Sequence, residues 1–148
     1  TLPGVPSVYY GDEQAFRGVK EDRYGGDDAV RPMFPDRQDG LAPWGWPIHH
    51  LHRQLIEMRL RHPWMTRSHP SVEHVTNTAL AVQVQPINGQ GRRITALLNI
   101  SDDPVVFPLE LPDPTIEVQS EASAHEPDLL VVPGHAWRVL SHGAPHWS

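Results

Sequence analysis

The stretch Gly-Val-Pro-Ser-Val-Tyr-Tyr-Gly-Asp-Glu, residues 4–13, decides how the whole chain is interpreted. Its apolar part, residues 5–10, shows no alternation of polar and apolar side chains, which is typical of a strand covered on both faces. Two acids, Asp12 and Glu13, follow directly after Gly11. In β/α barrels the loops that follow the strands form the active-site face, so polar residues at a strand exit are placed to meet a substrate. We therefore predict a buried strand over residues 5–10 with acids at its exit.

Composition narrows the range of partners. The chain of 148 residues has a formal net charge of -6 and no cysteine. This charge argues against a nucleic-acid partner, because counterion release needs clustered Lys and Arg. No apolar run approaches the ~20 residues of a membrane-spanning helix, so we expect no membrane partner. The lack of cysteine excludes disulfides, thiolate catalysis and Cys-ligated zinc. It is compatible with either redox compartment, and we expect a cytoplasmic protein without a cofactor.

One clear helix follows a long irregular segment over residues 11–47. Pro47 suits its first turn, and Pro63 ends it. Apolar residues at helical spacing form one stripe, and charged residues are left for solvent. The stripe consists of Ile48, Leu51, Leu55 and Met58, widened by Ile56 and Leu60, and the solvent-facing set is Arg53, Glu57, Arg59 and Arg61. Strand, loop and helix together make one β/α unit.

The rest of the chain has the pattern of an all-β domain. Short β-prone runs alternate with turn signals such as Asn88-Gly-Gln-Gly91 and Pro133-Gly134. Six strands are predicted, over residues 79–86, 93–100, 105–111, 116–120, 128–132 and 136–140. Short strands at these intervals favour an antiparallel sandwich.

The opening motif resembles the last barrel strand of the α-amylase superfamily of glycoside hydrolases. That family carries Gly-x-Pro-x-x-x-Tyr-Gly-x-Glu there, and all fixed positions match: Gly4, Pro6, Tyr10, Gly11 and Glu13. Residues 51–63 are similar to the family's final barrel helix, which commonly ends in Leu-Arg-x-x-His-Pro. The β-rich remainder is similar to its C-terminal sandwich domain. The resemblance implies an α+β fragment, with the last β/α unit of a (β/α)8 barrel over residues 1–64 and a C-terminal β-sandwich domain over residues 65–148.

The resemblance also implies what the chain lacks. Retaining glycosidases need two carboxylates about 5–5.5 Å apart. In this family these are an Asp and a Glu on middle strands, helped by a further Asp on strand seven, and none of their motifs occurs in this sequence. We expect a C-terminal segment that begins at strand eight and has no catalytic residue of its own. Its parent would hydrolyse or transfer α-glucosidic bonds, with an α-glucan or maltooligosaccharide and the remainder of the barrel as partners.

Two pairs of charged residues are candidate site residues. Neighbours at a strand exit point to opposite faces, so Asp12 and Glu13 are not expected to form a catalytic pair; Glu13 is interpreted as an acceptor of loop hydrogen bonds. Asp27 and Arg31 are the predicted sugar-binding residues, because many relatives use an Asp and an Arg of this loop to bind a glucose ring. A guanidinium and a carboxylate can bracket vicinal hydroxyls. Two registers are possible, since other relatives place the Arg where this chain has Val30, and the pair could instead merely order the loop.

Aromatic and histidine side chains give weaker signals. Trp44 and Trp46 are interpreted as packing residues at the start of the helix, with sugar stacking as the alternative. His49 and His52 lie three apart, but zinc sites want three or four convergent ligands, so no metal site is predicted. His62 is expected to cap helix carbonyls.

Two other functions stay open. A non-catalytic α-glucan-binding module would need exposed aromatics on the sandwich, where the β region offers only Phe107, Trp137 and Trp147. A purely structural domain would associate through its unpaired apolar strand, which is an aggregation risk. We expect an isolated chain either to be disordered over residues 1–45 or to self-associate.

Overall fold

The computed structural model describes residues 2–143. Its contacts divide the chain into two compact units, Pro6–Glu57 and Met58–Ser148 together with Thr1–Val5. Each unit is described by itself below. The predicted domain boundary after residue 64 stays a prediction.

The unit Pro6–Glu57 consists mainly of loops with short turns of 3-10 helix at Asp12–Gln14, Asp28–Val30 and Gln38–Gly40. The strand predicted over residues 5–10 is absent, and Val8, Tyr9 and Tyr10 are exposed. A strand is defined by hydrogen bonds to a neighbouring strand, and this unit contains no strand within its described residues that could pair with residues 5–10. Apolarity alone could therefore not produce the strand.

Helix α1 spans Gly45–Arg61, as Pro47 and Pro63 indicated. Its predicted stripe is half-buried, and only Met58 is fully buried. The widening of the stripe is wrong, because Ile56 is 51% and Leu60 is 74% exposed. Arg59, predicted to face solvent, is half-buried and donates hydrogen bonds to the carbonyls of Leu2 at 3.1 Å and Gly4 at 2.5 Å.

The second unit is built on an antiparallel sheet. Five strands form it in the order β1-β2-β3-β7-β5, and β4 pairs with β6 in a separate two-stranded sheet. The strands are β1 Ser68–Val75, β2 Ala79–Pro86, β3 Arg93–Asn99, β4 Val105–Val106, β5 Thr115–Gln119, β6 Val131–Val132 and β7 Ala136–His142, and a short helix α2 spans Glu121–Ala124. The chain is thus a small α+β structure, and four of the six predicted strands appear at nearly their predicted bounds.

The sandwich prediction needs correction. The strands expected over residues 105–111 and 128–132 shrink to two residues each. Prolines flank both runs, and Pro108 also interrupts the first; because proline cannot donate to a ladder, a full second sheet does not form within residues 2–143. Strand β1 was missed because it is mostly polar and exposed, as an edge strand can be.

One face of the five-stranded sheet buries Val84, Ile94, Ala96 and Val139, and the opposite face carries a larger core cluster. Its buried residues are Ala79, Ala81, Leu97, Phe107, Val132, Ala136 and Leu140. Arg138 is also fully buried there, and it donates to Gln119 Oε1 at 2.8 Å and to the carbonyls of Asp128, Ser123 and Glu126. Burial lowers the pKa of Arg138, although the charges of Glu126 and Asp128 raise it. These bonds fix the loop after α2, which is a structural role. Within residues 2–143, no helix has both the length and the hydrophobicity to cross a membrane.

Candidate functional site

The predicted sugar-binding residues lie in a loop over residues 18–31 that folds closely on itself. The Glu21 amide donates to the Gly26 carbonyl at 3.1 Å, and the Gly26 amide donates to the Arg23 carbonyl at 2.9 Å. A side chain at Gly26 would overlap the Glu21 carbonyl, and one at Gly18 would overlap the Ala29 carbonyl. Close backbone approach therefore requires glycine at both positions.

The turn Asp28–Val30 brings Asp27 and Arg31 together. Asp27 precedes this turn, and its side chain makes no capping hydrogen bond. Its Oδ2 lies 3.7 Å from Arg31 Nη2, and its Oδ1 lies 3.2 Å from Lys20 Nζ. Lys20 was not singled out from the sequence, because nothing in its local pattern indicates a partner seven residues later. The half-buried carboxylate of Asp27 is thus placed between two exposed cations.

This arrangement leaves hydrogen-bonding capacity for a ligand. A guanidinium carries five N–H donors in a fixed fork, and Arg31 is exposed. Within residues 2–143, the guanidinium pairs only with Asp27, at a distance that is long for a hydrogen bond. Hydroxyl groups could accept from Arg31 while donating to Asp27. The same geometry is also compatible with a pair that merely orders the loop.

The two tryptophans make local contacts and remain partly open. Trp44 Nε1 donates to the Ala15 carbonyl at 3.4 Å, and the Arg17 guanidinium lies 5.9 Å from the Trp44 ring centre. Trp46 meets the His49 ring edge-on, with ring centres 5.8 Å apart. Both rings are exposed, although the Arg17 guanidinium lies over the Trp44 ring, and the packing interpretation stays a prediction.

Tyr24 is an aromatic residue that sequence reasoning missed. It is fully exposed and directly precedes Gly25 and Gly26 in the loop that holds Asp27. The available signal was an aromatic beside a glycine pair in an otherwise polar loop. Such a residue has no core to enter, since the loop around it is exposed.

One acid of the opening motif, Glu13, has a structural role. Asp12 and Glu13 lie in the 3-10 turn Asp12–Gln14, and Glu13 Oε2 accepts a hydrogen bond from the Gly11 amide at 2.9 Å. The loop-acceptor interpretation of Glu13 is confirmed. Glu13 also lines a shallow, mostly apolar pocket of about 360 Å³ together with Tyr10 and His52.

The histidines do not converge on a metal. His52 Nδ1 lies 2.9 Å from the Ile48 carbonyl, and it must carry the hydrogen because a carbonyl only accepts. No group of three or more His, Asp or Glu side chains in residues 2–143 is placed to hold a metal ion. The expected carbonyl cap at His62 is wrong, since its Nε2 contacts the Glu117 carboxylate at 2.9 Å instead.

Solved structures resemble this chain along nearly its whole length. A maltogenic amylase from S. marinus matches 99% of the chain with 23% identity and a TM-score of 0.62. An α-amylase from H. orenii matches 97% of the chain with 17% identity and a TM-score of 0.64. The chain has the fold of a part of α-amylase enzymes. The resemblance first indicated by residues 4–13 is thereby confirmed at the level of the fold.

The α-amylase likeness is partial in two respects. The chain spans 18% of the S. marinus structure and 33% of the H. orenii structure. Identities this low show the fold and leave activity open. No model of a known protein family matches the chain, and no curated protein matches it either.

Proposed function

We propose that this chain is the C-terminal segment of an α-glucan-acting glycosidase of the α-amylase type. The parent enzyme hydrolyses or transfers α-glucosidic bonds with retention of configuration. The observation that carries the proposal is the α-amylase fold over almost the whole chain, and the complete Gly-x-Pro-x-x-x-Tyr-Gly-x-Glu motif at residues 4–13 supports it independently.

Within that enzyme, the loop over residues 18–31 contacts the sugar chain. Arg31 donates to one hydroxyl of a glucose ring and Asp27 accepts from its neighbour, since charge-assisted hydrogen bonds of this kind are strong and directional. Lys20, 3.2 Å from Asp27, holds the carboxylate in place. The tight backbone around Gly26 keeps the loop in one conformation, which reduces the entropy lost on binding.

The chain by itself is inactive in this proposal, because the catalytic motifs belong to other barrel strands. Incubation of the purified chain with maltotriose or a nitrophenyl α-glucoside is expected to release no product above a protein-free control. Turnover that survives repeated purification would contradict the assignment of catalysis to the rest of the barrel.

Sugar contact is tested by NMR titration of the chain with maltoheptaose. We expect amide shifts confined to residues 18–31, and we expect Asp27→Asn and Arg31→Gln to abolish them. Arg37→Gln is the matched control, because Arg37 is exposed and pairs with Asp39 at 3.3 Å in a neighbouring turn. Loop shifts that persist in Arg31→Gln, or a loop that gives none, would contradict the proposed role of the pair.

The non-catalytic binding module has less support. Phe107 is buried and Trp137 is half-buried, so neither offers an open ring face. Trp147 lies outside the described residues. Shifts centred on the five-stranded sheet in the same titration would favour this alternative.

A further inference from the structure

Glu117 is a nearly buried carboxylate that joins two distant parts of the chain. Its side chain is 10% exposed. Oε2 accepts a hydrogen bond from Arg61 Nη2 at 2.7 Å, and Oε1 lies 2.9 Å from His62 Nε2. An ionised carboxylate only accepts, so Nε2 of His62 carries the hydrogen in this contact. Both donors belong to the end of α1 and the residue after it.

A local irregularity of the sheet directs Glu117 toward these donors. In the pairing of β5 with β7, Ile116 lies opposite Leu140 and Val118 lies opposite Val139. Glu117 is therefore an extra residue on β5, which is the definition of a β-bulge. A bulge changes the direction of a side chain relative to a regular strand, and such bulges are usually functional features of a fold.

We propose that Glu117 acts as an acid-released latch. When ionised, it holds the segment over residues 58–67, which we name the latch segment, on the five-stranded sheet. When it is protonated, the latch segment detaches while the sheet stays folded. This inference does not rest on the proposed function, since it involves no sugar and no residue of the loop over residues 18–31.

The charges around the carboxylate set the direction of the switch. Arg61 and His62 face it from the end of α1, and Ser141 faces it from β7. Arg92 lies nearby, since it donates to Thr115 and to Ser141. Burial alone would raise the pKa of Glu117, but the hydrogen bonds from Arg61, Ser141 and His62 and the charge of His62 outweigh it and lower the pKa below 4.5.

The sign of the pH dependence follows from that lowered pKa. A carboxylate whose pKa is lower when folded than when unfolded stabilises the folded state above the unfolded value. Glu117 therefore stabilises the folded state fully above about pH 4.5, and this stabilisation is lost as the pH falls through its lower pKa in the folded state. Protonation removes the charge that both donors need, so the latch opens on acidification.

The latch segment carries several other contacts that depend on its position. Met58 and Met65 are buried, and the 3-10 turn Pro63–Arg67 packs on β2. Arg59 donates to the carbonyls of Leu2 and Gly4, and the Gly4 amide donates to the Thr66 carbonyl at 3.0 Å. Release of the latch segment would therefore also free residues 2–4.

The test is amide hydrogen exchange on the full chain with Glu117→Gln. At about pH 7 we expect protection of the latch segment to fall by about tenfold or more, because Arg61 and His62 lose hydrogen bonds to a charged acceptor. Protection in β2, β3 and β7 should be unchanged. Glu110→Gln is the matched control, because Glu110 is exposed in the same unit. Unchanged exchange in the latch segment would overturn the proposal, and so would a uniform loss across the sheet.

A second measurement keeps the proposal testable if Glu117→Gln does not fold. In the unmodified chain, acidification below about pH 4.5 should expose the latch segment to exchange while the sheet stays folded and protected. Arg61→Gln, at the exposed end of the pair, should move this release to higher pH. Simultaneous loss of protection in both regions, or no shift in Arg61→Gln, would overturn the latch.

Discussion

The two units of the chain differ in where their apolar side chains lie. In the second unit, hydrophobic residues from Met58 to Leu140 are fully buried on and around the sheet. In Pro6–Glu57, no described hydrophobic residue is fully buried, while many large ones are exposed. The exposed set is Val8, Tyr9, Tyr10, Val19, Tyr24, Val30, Met33, Phe34, Trp44, Trp46 and Ile56.

This difference shows that apolar sequence and apolar burial are separate properties. The second unit contains both halves of its core, because strands and loops of the same chain cover each other. The first unit has many large apolar side chains, but no other described part of the chain buries them. An exposed apolar surface this large usually marks an interface. It is the surface expected if the remainder of a barrel packs there, and an isolated chain could instead cover it with a second copy.

Hydrogen exchange gives the largest expected contrast between the two units. Amides of β2, β3 and β7 should exchange through global unfolding, whereas those of Pro6–Glu57 should exchange through local opening. We expect protection to differ by at least about a thousandfold, since global stabilities are typically 5–15 kcal/mol. If both units are equally protected in a chain whose solution mass is that of a monomer, the proposed difference between the units is wrong. If protection of Pro6–Glu57 rises with protein concentration, the contrast is sharpened, because a second copy of the chain then buries the exposed apolar side chains.

The same substitution in each unit gives the next largest contrast. Val84 is 0% and Val19 is 76% exposed. Val84→Ala should lower the free energy of unfolding by about 2 kcal/mol, because it removes two buried methyl groups and leaves a cavity. Val19→Ala should change it by less than about 0.5 kcal/mol. Urea denaturation measures both, and a larger loss for Val19→Ala would show that the first unit has a core of its own.

The pH dependence of the second unit depends on His142. Its Nε2 contacts Thr95 Oγ1 at 2.9 Å, and its buried Nδ1 makes no hydrogen bond within residues 2–143. Burial, followed by the charges of Arg93 and Arg92, lowers the pKa of His142, although Glu73 raises it.

The unfolded chain therefore binds this proton first, and stability falls as the pH drops below the unfolded value of 6.5. The slope attributable to one proton is at most about 1.4 kcal/mol per pH unit. Denaturant unfolding at several pH values should show this slope, and His142→Gln should flatten it. His125→Gln, at an exposed histidine, should leave it intact, and an unaltered slope in His142→Gln would contradict the assignment.

The smallest expected effect belongs to the charged loop of the first unit. Lys20→Ala removes one of the two cations that flank Asp27. All three side chains are substantially exposed, so we expect the free energy of unfolding to change by less than about 0.5 kcal/mol. A loss above 1 kcal/mol, on the same scale, would mean that the charges stabilise the loop and would favour the ordering role over sugar contact. Thermal unfolding in low and high salt provides the measurement.

Local patterns predicted the elements that local chemistry controls. Helix α1 was found from Pro47, Pro63 and the apolar repeat between them, because each of these acts within a few residues. Strands β2, β3 and β7 were found because their apolar residues are buried and bounded by turns. The pairing of Asp27 with Arg31 was within reach for the same reason, since the two lie four residues apart on one turn.

Contacts between residues far apart in the chain could not be predicted from local sequence patterns. Nothing near Glu117 indicates that a β-bulge turns it toward Arg61 and His62, and nothing near Lys20 indicates Asp27. The edge strand β1 has too few apolar residues to show a pattern, and it forms because β2 offers it hydrogen bonds.

The sequence by itself determined the family resemblance, the main helix, most of the sheet and the residues proposed to meet a sugar. Only the tertiary structure decided that residues 5–10 form no strand, that the sandwich has a reduced second layer and that a buried carboxylate holds the end of α1. The physical reason is the same in each case. Propensity and periodicity act along the chain, whereas strand pairing, burial and ion pairing depend on which other residues come near.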